Sequence, residues 1–212
     1  MPASAIILSV GVLLSAGLAI WSDAKGRLRL YRVAKPLTTV LIIAVAAIAR
    51  TPVPAAYKAL VAAGLSFSLL GDIALMFPEK WFTAGLVAFL TAHVLYILAF
   101  NPGRGHPVSA SVFLPFVLYG LLMFFILAPG LGKMKPPVLV YIGAITVMAG
   151  FAAGRFVELG GARPLLAFVG AILFLVSDSV LAYDRFGKKI APAQVIILGT
   201  YFPAQLLIAL SI

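Results

Sequence analysis

Two aspartates in apolar stretches of this 212-residue chain are the residues best suited to chemistry, Asp72 after the run 67–71 and Asp178 after the run 174–177. An acidic side chain at the centre of a membrane helix costs about 2.5–3.5 kcal/mol on insertion scales, so a chain that carries two is expected to use them. Two facing carboxyl groups would share one proton and one negative charge at neutral pH, as general acid and base catalysis requires. We therefore predict that Asp72 and Asp178 are catalytic and face one another across a polar cavity.

The two aspartates are also predicted to share a depth in the membrane. Each lies five residues before the last apolar residue of its predicted span, Phe77 or Tyr183. Five residues correspond to ~7–8 Å along a helix. The alternative is that each aspartate makes a structural polar contact, satisfied by a neighbouring serine such as Ser177.

Other polar side chains occur in the apolar runs and are candidates for substrate binding. Lys35 lies at the predicted start of the second span, where its ammonium group could meet a lipid phosphate or snorkel to the interface. His93 and Tyr96 lie in the fourth predicted span, and Tyr201 and Gln205 in the eighth, each pair at helical spacing. These four, taken singly, are as well explained by hydrogen bonds between helices. Ser177, beside Asp178, completes the set.

Neither a cofactor nor a metal centre is predicted. The chain has no cysteine and only two histidines, which disfavours a closed zinc site. A site made from Asp72, Asp178 and His93 is the one metal arrangement left open. No glycine-rich phosphate loop occurs.

The elements that carry these residues are predicted to be membrane-spanning helices. The chain is 63% hydrophobic and 10% charged, whereas soluble domains contain roughly 25% charged residues. Charge and Gly/Pro clusters separate apolar runs near the ~20 residues that cross a bilayer. The predicted spans are 4–21, 34–49, 55–77, 81–100, 108–128, 137–153, 165–183 and 192–211. We predict an all-α, polytopic transmembrane bundle of about eight helices that forms a single domain over residues 1–212.

The charge distribution predicts the partners and the orientation. Although the net charge is +10, the basic residues are spread over short loops, which favours the headgroups of the lipid bilayer over nucleic acid. Loops after odd-numbered spans carry 11 of the 16 lysines and arginines. By the positive-inside rule both termini then lie on the outer side of a bacterial-type inner membrane. No oligomeric state is predicted.

A short internal echo suggests that the bundle has two halves. The segment 67–72 resembles the segment 174–178, and each is followed by a further apolar stretch. Two four-helix halves in parallel orientation would explain the echo.

These residues resemble the YhhN-type lysoplasmalogenase family. The resemblance covers the chain from about Lys35 to Ile208 and rests on five motifs in order. The motifs are Lys35-Pro36-Leu37, Gly64 to Asp72, Gly85 to Ile97, Phe174 to Ser179, and Tyr201 to Ile208. The chain departs from the pattern at Asp184, where asparagine is expected, and at Pro203, which interrupts the last motif.

The resemblance implies hydrolysis of the vinyl ether bond of lysoplasmalogens, giving a fatty aldehyde and glycerophosphoethanolamine or glycerophosphocholine. Such a bond is cleaved by protonation on carbon and attack of water on the oxocarbenium ion. One aspartate would deliver the proton while the other stabilises the cation and activates water, with the assignment left open. The lysophospholipid tail would lie among the helices, with its phosphate near Lys35 or the loop of Arg185, Lys188 and Lys189.

Two other function classes are compatible with the same residues. Paired intramembrane carboxylates also build proton relays, so a proton-coupled small-molecule or lipid transporter is the main alternative. A structural or assembly subunit is the third class.

Overall fold

The computed structural model describes residues 3–49, 53–101 and 109–212, and the described residues form helices and turns but no strand. A turn of 3₁₀ helix, Gly132–Met134, joins the fifth and sixth of eight α-helices. The helices are α1 (Ala3–Ala24), α2 (Leu28–Ile48), α3 (Ala55–Leu75), α4 (Pro78–Phe100), α5 (Ala110–Leu131), α6 (Lys135–Leu159), α7 (Ala162–Phe186) and α8 (Ala193–Leu210). The predicted all-α bundle of about eight helices is confirmed.

The helices have the length and composition of membrane spans. Within the described ranges, seven helical stretches are long and apolar enough to cross a membrane, and one of them, Ala110–Leu159, contains both α5 and α6. Because α5 and α6 pack against one another, we count each as a span. The chain is a multi-pass integral membrane protein.

Several helices extend beyond their predicted bounds. The second span was predicted to begin at residue 34, but α2 begins at Leu28, so Lys35 lies two turns inside the helix. The extra turns are amphipathic, and the Arg32 guanidinium lies 4.7 Å from the centre of the Phe77 ring. Predicted spans that end at charged residues are therefore too short, because lysines and arginines in the end turns of a helix can extend their charged groups to the interface. Arg50, Arg104 and the predicted start of the fifth span at residue 108 lie outside the described residues.

Six helices form a closed ring, and two pack outside it. Contacts run from α2 to α3, α4, α6, α7, α8 and back to α2, while α1 packs on α2 and α8, and α5 packs on α6 and α7. Helices α1 to α4 and α6 to α8 contribute to one hydrophobic core. The single-domain organisation stays a prediction.

The helices are apolar on both their inner and outer faces. Leu65 and Phe174 are fully buried inside the ring, whereas Leu14 on α1 and Phe125 on α5 are 71% and 69% exposed. In water such outer faces would be unstable, but lipid tails solvate them. The bundle interior is therefore the part of the molecule where polar side chains need protein partners.

Candidate active site

Asp72 lies inside the ring and is 1% exposed. Its Oδ2 accepts hydrogen bonds from Thr39 Oγ1 at 2.6 Å and from the Tyr201 hydroxyl at 2.7 Å. The Lys35 ammonium lies 3.4 Å from its Oδ1. Two hydroxyl donors and a cation thus surround the carboxyl group, and this donor set suits a carboxylate anion.

Lys35 is a buried counter-ion in this structure. Its side chain is 6% exposed and lies against Asp72. Tyr31, one turn earlier on α2, also interacts with the ammonium, and its hydroxyl accepts a hydrogen bond of 2.8 Å from Gln194 Nε2 on α8. The ammonium group of Lys35 thus has partners within the protein. Its predicted contact with a lipid phosphate stays a prediction.

Asp178 lies in a different setting. Its side chain is 11% exposed, and its Oδ2 accepts a hydrogen bond from the Tyr141 hydroxyl on α6. His93 Nε2 lies 3.8 Å from the same oxygen. The carboxyl group therefore has one close donor and one neighbour slightly beyond hydrogen-bond range.

His93 is a fully buried imidazole held by aromatic rings. Its ring centre is 5.1 Å from that of Tyr141 and 4.8 Å from that of Phe174, both in edge-to-face arrangements. Neither imidazole nitrogen has a hydrogen-bond partner among the described residues. A buried polar group without a partner costs free energy, so the two imidazole nitrogens are polar groups for which the described structure supplies no hydrogen bond.

A chain of hydrogen bonds joins three of the remaining predicted residues, Tyr96, Gln205 and Tyr201, to Asp72. The Tyr96 hydroxyl donates to Gln205 Oε1 at 2.8 Å, and Gln205 Nε2 donates to the Tyr201 oxygen at 3.3 Å. Ser177 is not part of this chain, because its hydroxyl donates to the Ile197 carbonyl at 3.1 Å. Tyr96 and Gln205 therefore act here as links between α4 and α8.

The two aspartates are held by corresponding helices of the two halves of the chain. Asp72 on α3 is contacted by Thr39 from α2 and by Tyr201 from α8. Asp178 on α7 is contacted by Tyr141 from α6 and by His93 from α4. Each acid thus lies on the third helix of its half, between the second helix of that half and the fourth helix of the other. This arrangement supports two parallel halves related about an axis along the membrane normal.

The correspondence breaks down at the cation. Lys35 lies one turn before Thr39 on α2, whereas the position one turn before Tyr141 on α6 is Pro137. Asp72 therefore has a buried positive partner and Asp178 has none among the described residues.

Only one of the two aspartates lines the cavity between α3, α4, α5, α6 and α7. This cavity holds about 660 Å³ of non-atom space, part of which is open to the surroundings. Asp178 and Tyr141 contribute polar groups to a wall that is otherwise largely apolar, and Asp72 is not on it. Phe89 separates the two regions, since it lines the cavity on one side and packs edge-to-face on Tyr201 at 5.8 Å. The polar cavity predicted between the aspartates is thus an apolar one that reaches Asp178.

Two residues of the site escaped the sequence analysis. Thr39 lies one turn after Lys35, and Tyr141 is the polar side chain in the apolar run 138–145. Helical spacing from Lys35 could have found Thr39, and the interruption of the apolar run could have found Tyr141. In the described ranges, no three histidine, aspartate or glutamate side chains converge as metal ligands.

Comparison with known proteins places the chain in a family. The sequence model of the YhhN family matches residues 30–212, which include both aspartates and the helices that hold them. The chain belongs to the YhhN family. No solved structure matches it.

Relatives of this YhhN protein include named enzymes. It is 35% identical to human lysoplasmalogenase TMEM86B over 73% of its length and 36% identical to bovine lysoplasmalogenase TMEM86A over 70%. These matches span 64% and 62% of the two relatives, so the chain covers less than two thirds of either. The membrane protein YhhN of Escherichia coli, described as uncharacterised, is 31% identical over 96% of this chain and 97% of its own length.

Proposed function

We propose that this protein is a hydrolase that cleaves the vinyl ether bond of lysoplasmalogens. The observation that carries the proposal is a single carboxyl group, Asp178, on the wall of a largely apolar cavity. The lysoplasmalogenase names of the human and bovine relatives support the choice of substrate. A single-chain lipid suits the cavity, because its tail needs an apolar channel and its reactive bond needs one polar group near the headgroup.

The reaction requires one proton donor that later acts as a base. Protonation of the vinyl carbon remote from the ether oxygen converts the bond to an oxocarbenium ion. Water then attacks the carbon bonded to that oxygen and returns a proton to the catalytic group. The resulting hemiacetal collapses to the fatty aldehyde, while its hydroxyl proton passes to the glycerol oxygen that leaves. Atoms and charges balance with water as the only co-reactant.

The surroundings of the two aspartates suggest a division of roles. Asp178 faces the cavity without a cation, so we assign it both proton transfers, first as general acid and then as general base. Tyr141 holds its Oδ2 and fixes the direction of the carboxyl group. Asp72 lies behind Phe89 and Tyr201, so it acts as a positioning residue whose charge and hydrogen bonds order the site from outside the cavity.

The buried imidazole completes the proposed site. His93 is close to Asp178 and has two nitrogens without partners in the described structure. Because His93 does not line the cavity, we assign it a positioning role behind the Asp178 carboxyl group. Tyr201, Tyr96 and Gln205 then support the site indirectly, through the hydrogen-bond chain that ends at Asp72.

The test is aldehyde release by purified variants in detergent. Wild-type protein, Asp178→Asn and Asp72→Asn are incubated with a mixture of lysoplasmalogens and ordinary lysophospholipids, and products are identified by mass spectrometry. Asp184→Asn is the matched control, because this aspartate lies on the same helix but bonds Lys189 and the Ile190 backbone instead of lining the cavity. Full aldehyde release by a folded Asp178→Asn protein would show that the assignment is wrong.

The transporter alternative has no support from the relatives named above. It predicts proton-gradient-dependent uptake into proteoliposomes without any product. If the same preparation takes up substrate but does not hydrolyse it, the enzyme proposal is wrong and the protein is a transporter.

The orientation belongs to the proposal as well. The excess of basic residues in loops after odd-numbered helices supports termini on the outer side of a bacterial-type inner membrane and a site near the cytoplasmic face. The chain contains no native cysteine, so single cysteines introduced in opposite loops report their side by labelling with an impermeant maleimide. If a cysteine that replaces Lys188 is labelled from outside intact cells, the proposed orientation is wrong and the termini lie on the inner side.

A further inference from the structure

Arg185 lies on the same helix face as Asp178 and contacts Phe82, a residue that lines the cavity. Seven residues separate the two along α7, which corresponds to ~10.5 Å of rise and almost two complete turns. Asp178, Ala182 and Phe186 line the cavity at helical spacing, so this face of α7 is the one that looks into it. Arg185 extends that face to the last turn of the helix, where it is exposed.

The Arg185 guanidinium lies over the face of a ring that lines the cavity. Its Cζ lies 4.8 Å from the centre of the Phe82 ring on α4. Phe82 lines the cavity and packs edge-to-face on Phe186, with ring centres 5.8 Å apart. A cation over an aromatic face is held in place by the ring quadrupole, so the charge is positioned at the entrance instead of ranging freely over the surface.

Among the described residues, Arg185 has no acidic partner, whereas a nearby lysine has one. No carboxylate oxygen is found within 4 Å of Arg185, while Lys189 pairs with Asp184 at 2.8 Å. The planar guanidinium group can donate two parallel hydrogen bonds to a phosphate, which a lysine cannot do. The geometry is therefore suited to a phosphodiester that enters the cavity mouth.

The spacing between Arg185 and Asp178 matches the substrate class of the proposed function. Six covalent bonds separate the phosphorus of a lysophospholipid from the vinyl carbon bonded to the ether oxygen, or about 7–8 Å when extended, since single bonds are close to 1.5 Å long. A hydrogen bond of about 3 Å at the phosphate end adds to this length. The sum is close to the helix rise of ~10.5 Å between Arg185 and Asp178. A lipid whose phosphate contacts Arg185 would thus present its vinyl ether at Asp178.

We propose that Arg185 is the headgroup clamp of the site, binding the phosphodiester of a single-chain lipid and setting which bond reaches Asp178. This inference rests on the proposed function and names a substrate-binding residue for it. The clamp recognises the phosphate and not the ethanolamine or choline group beyond it. Both headgroups are therefore expected to bind.

The test measures binding with lipids that cannot be hydrolysed. The probes are a saturated 1-alkyl-glycerophosphocholine and a 1-alkylglycerol with the same chain, titrated into purified protein in detergent by calorimetry. Arg185→Ala should lower the affinity for the phosphate-bearing probe about 10- to 100-fold, which is the loss expected for charge-assisted hydrogen bonds. It should leave the affinity for the alkylglycerol unchanged.

Two control proteins sharpen the test. Lys25→Ala removes an exposed cation from the loop between α1 and α2 and should change neither affinity. Arg185→Lys should recover part of the lost affinity, because lysine keeps the positive charge but lacks the planar guanidinium group and its two parallel donors.

Three results would overturn the inference. Equal weakening of both probes by Arg185→Ala would show that the residue only shapes the cavity mouth through Phe82. No change for either probe would show that it does not touch the headgroup. Arg185-dependent binding of inorganic phosphate as tight as that of the lipid would identify a site for free anions.

The proposed function is judged separately. Turnover of lysoplasmalogen by the same wild-type preparation reports the hydrolase activity, and its absence would refute that activity while the calorimetric comparison still decides the clamp.

Discussion

The buried ion pair between Lys35 and Asp72 makes a quantitative prediction. The two side chains are 6% and 1% exposed, and the ammonium lies 3.4 Å from Oδ1. Lys35→Met keeps an unbranched apolar stem of similar length but removes the charge. Asp72 would then keep its hydrogen bonds from Thr39 and Tyr201 while losing its only cation among the described residues.

The expected loss of stability is large. Breaking a buried pair by removing one partner costs about 3–5 kcal/mol, because the other charge is left uncompensated. For chains of 150–250 residues, each kcal/mol of lost unfolding free energy lowers Tm by about 2–4 °C. The expected fall in Tm is therefore about 6–20 °C. Lys35→Met combined with Asp72→Asn leaves no unpaired charge, so the double variant should regain most of that loss.

The measurement is thermal unfolding of the wild-type protein, both single variants and the double variant in one detergent. Lys188→Met is the matched control, since it removes an exposed lysine and should leave Tm within a degree or two. Strictly additive changes in Tm would refute the reasoning, because two residues that form one buried pair must be coupled. The double variant should remain inactive even when its stability returns.

Four further outcomes follow from the same structure. Asp178→Asn should lower kcat for aldehyde release by about 10²–10⁴-fold with little change in Tm, measured by mass spectrometry and thermal unfolding. Tyr141→Phe removes the hydrogen bond to that carboxyl group and should lower kcat by about 10-fold or more with KM nearly unchanged in steady-state assays. Ala182→Trp should fill part of the cavity and raise KM most for the longest substrate chains, a trend that vanishes if the cavity does not hold the tail. Gly170→Ala places a methyl group 2.8 Å from α8 backbone and should lower the unfolding free energy by about 1–3 kcal/mol, whereas Gly143→Ala, with nothing within 4 Å, should not.

The membrane architecture was predictable because the bilayer imposes a simple rule. A backbone in lipid must satisfy its own hydrogen bonds, so runs of about 20 apolar residues become helices. The eight spans were therefore found in order, including α6, whose pattern contains several glycines. The bounds were less accurate, and α2 begins at Leu28 because amphipathic turns near the interface look like loops when only charge is considered.

The burial of the two aspartates inside the bundle was also predictable, because a costly residue in an apolar run stands out by composition alone. The identity of their partners was not. Thr39 and Tyr141 lie in helices whose apolar faces point in every direction, so periodicity does not reveal which face meets the interior. Lys35 was assigned to the interface because its helix was predicted to start six residues too late.

The amino-acid sequence was enough to show that this chain is a multi-pass membrane protein of the YhhN family with two acidic residues in its apolar runs. These properties depend on hydropathy, helix rise and short motifs, which are local in the chain. The three-dimensional structure was needed to show that each acid contacts a helix from the opposite half, that Lys35 pairs with Asp72, and that Asp178, unlike Asp72, lines the cavity. Helix packing in lipid depends on the shapes of neighbouring side chains, and residues far apart in sequence meet only when those shapes fit.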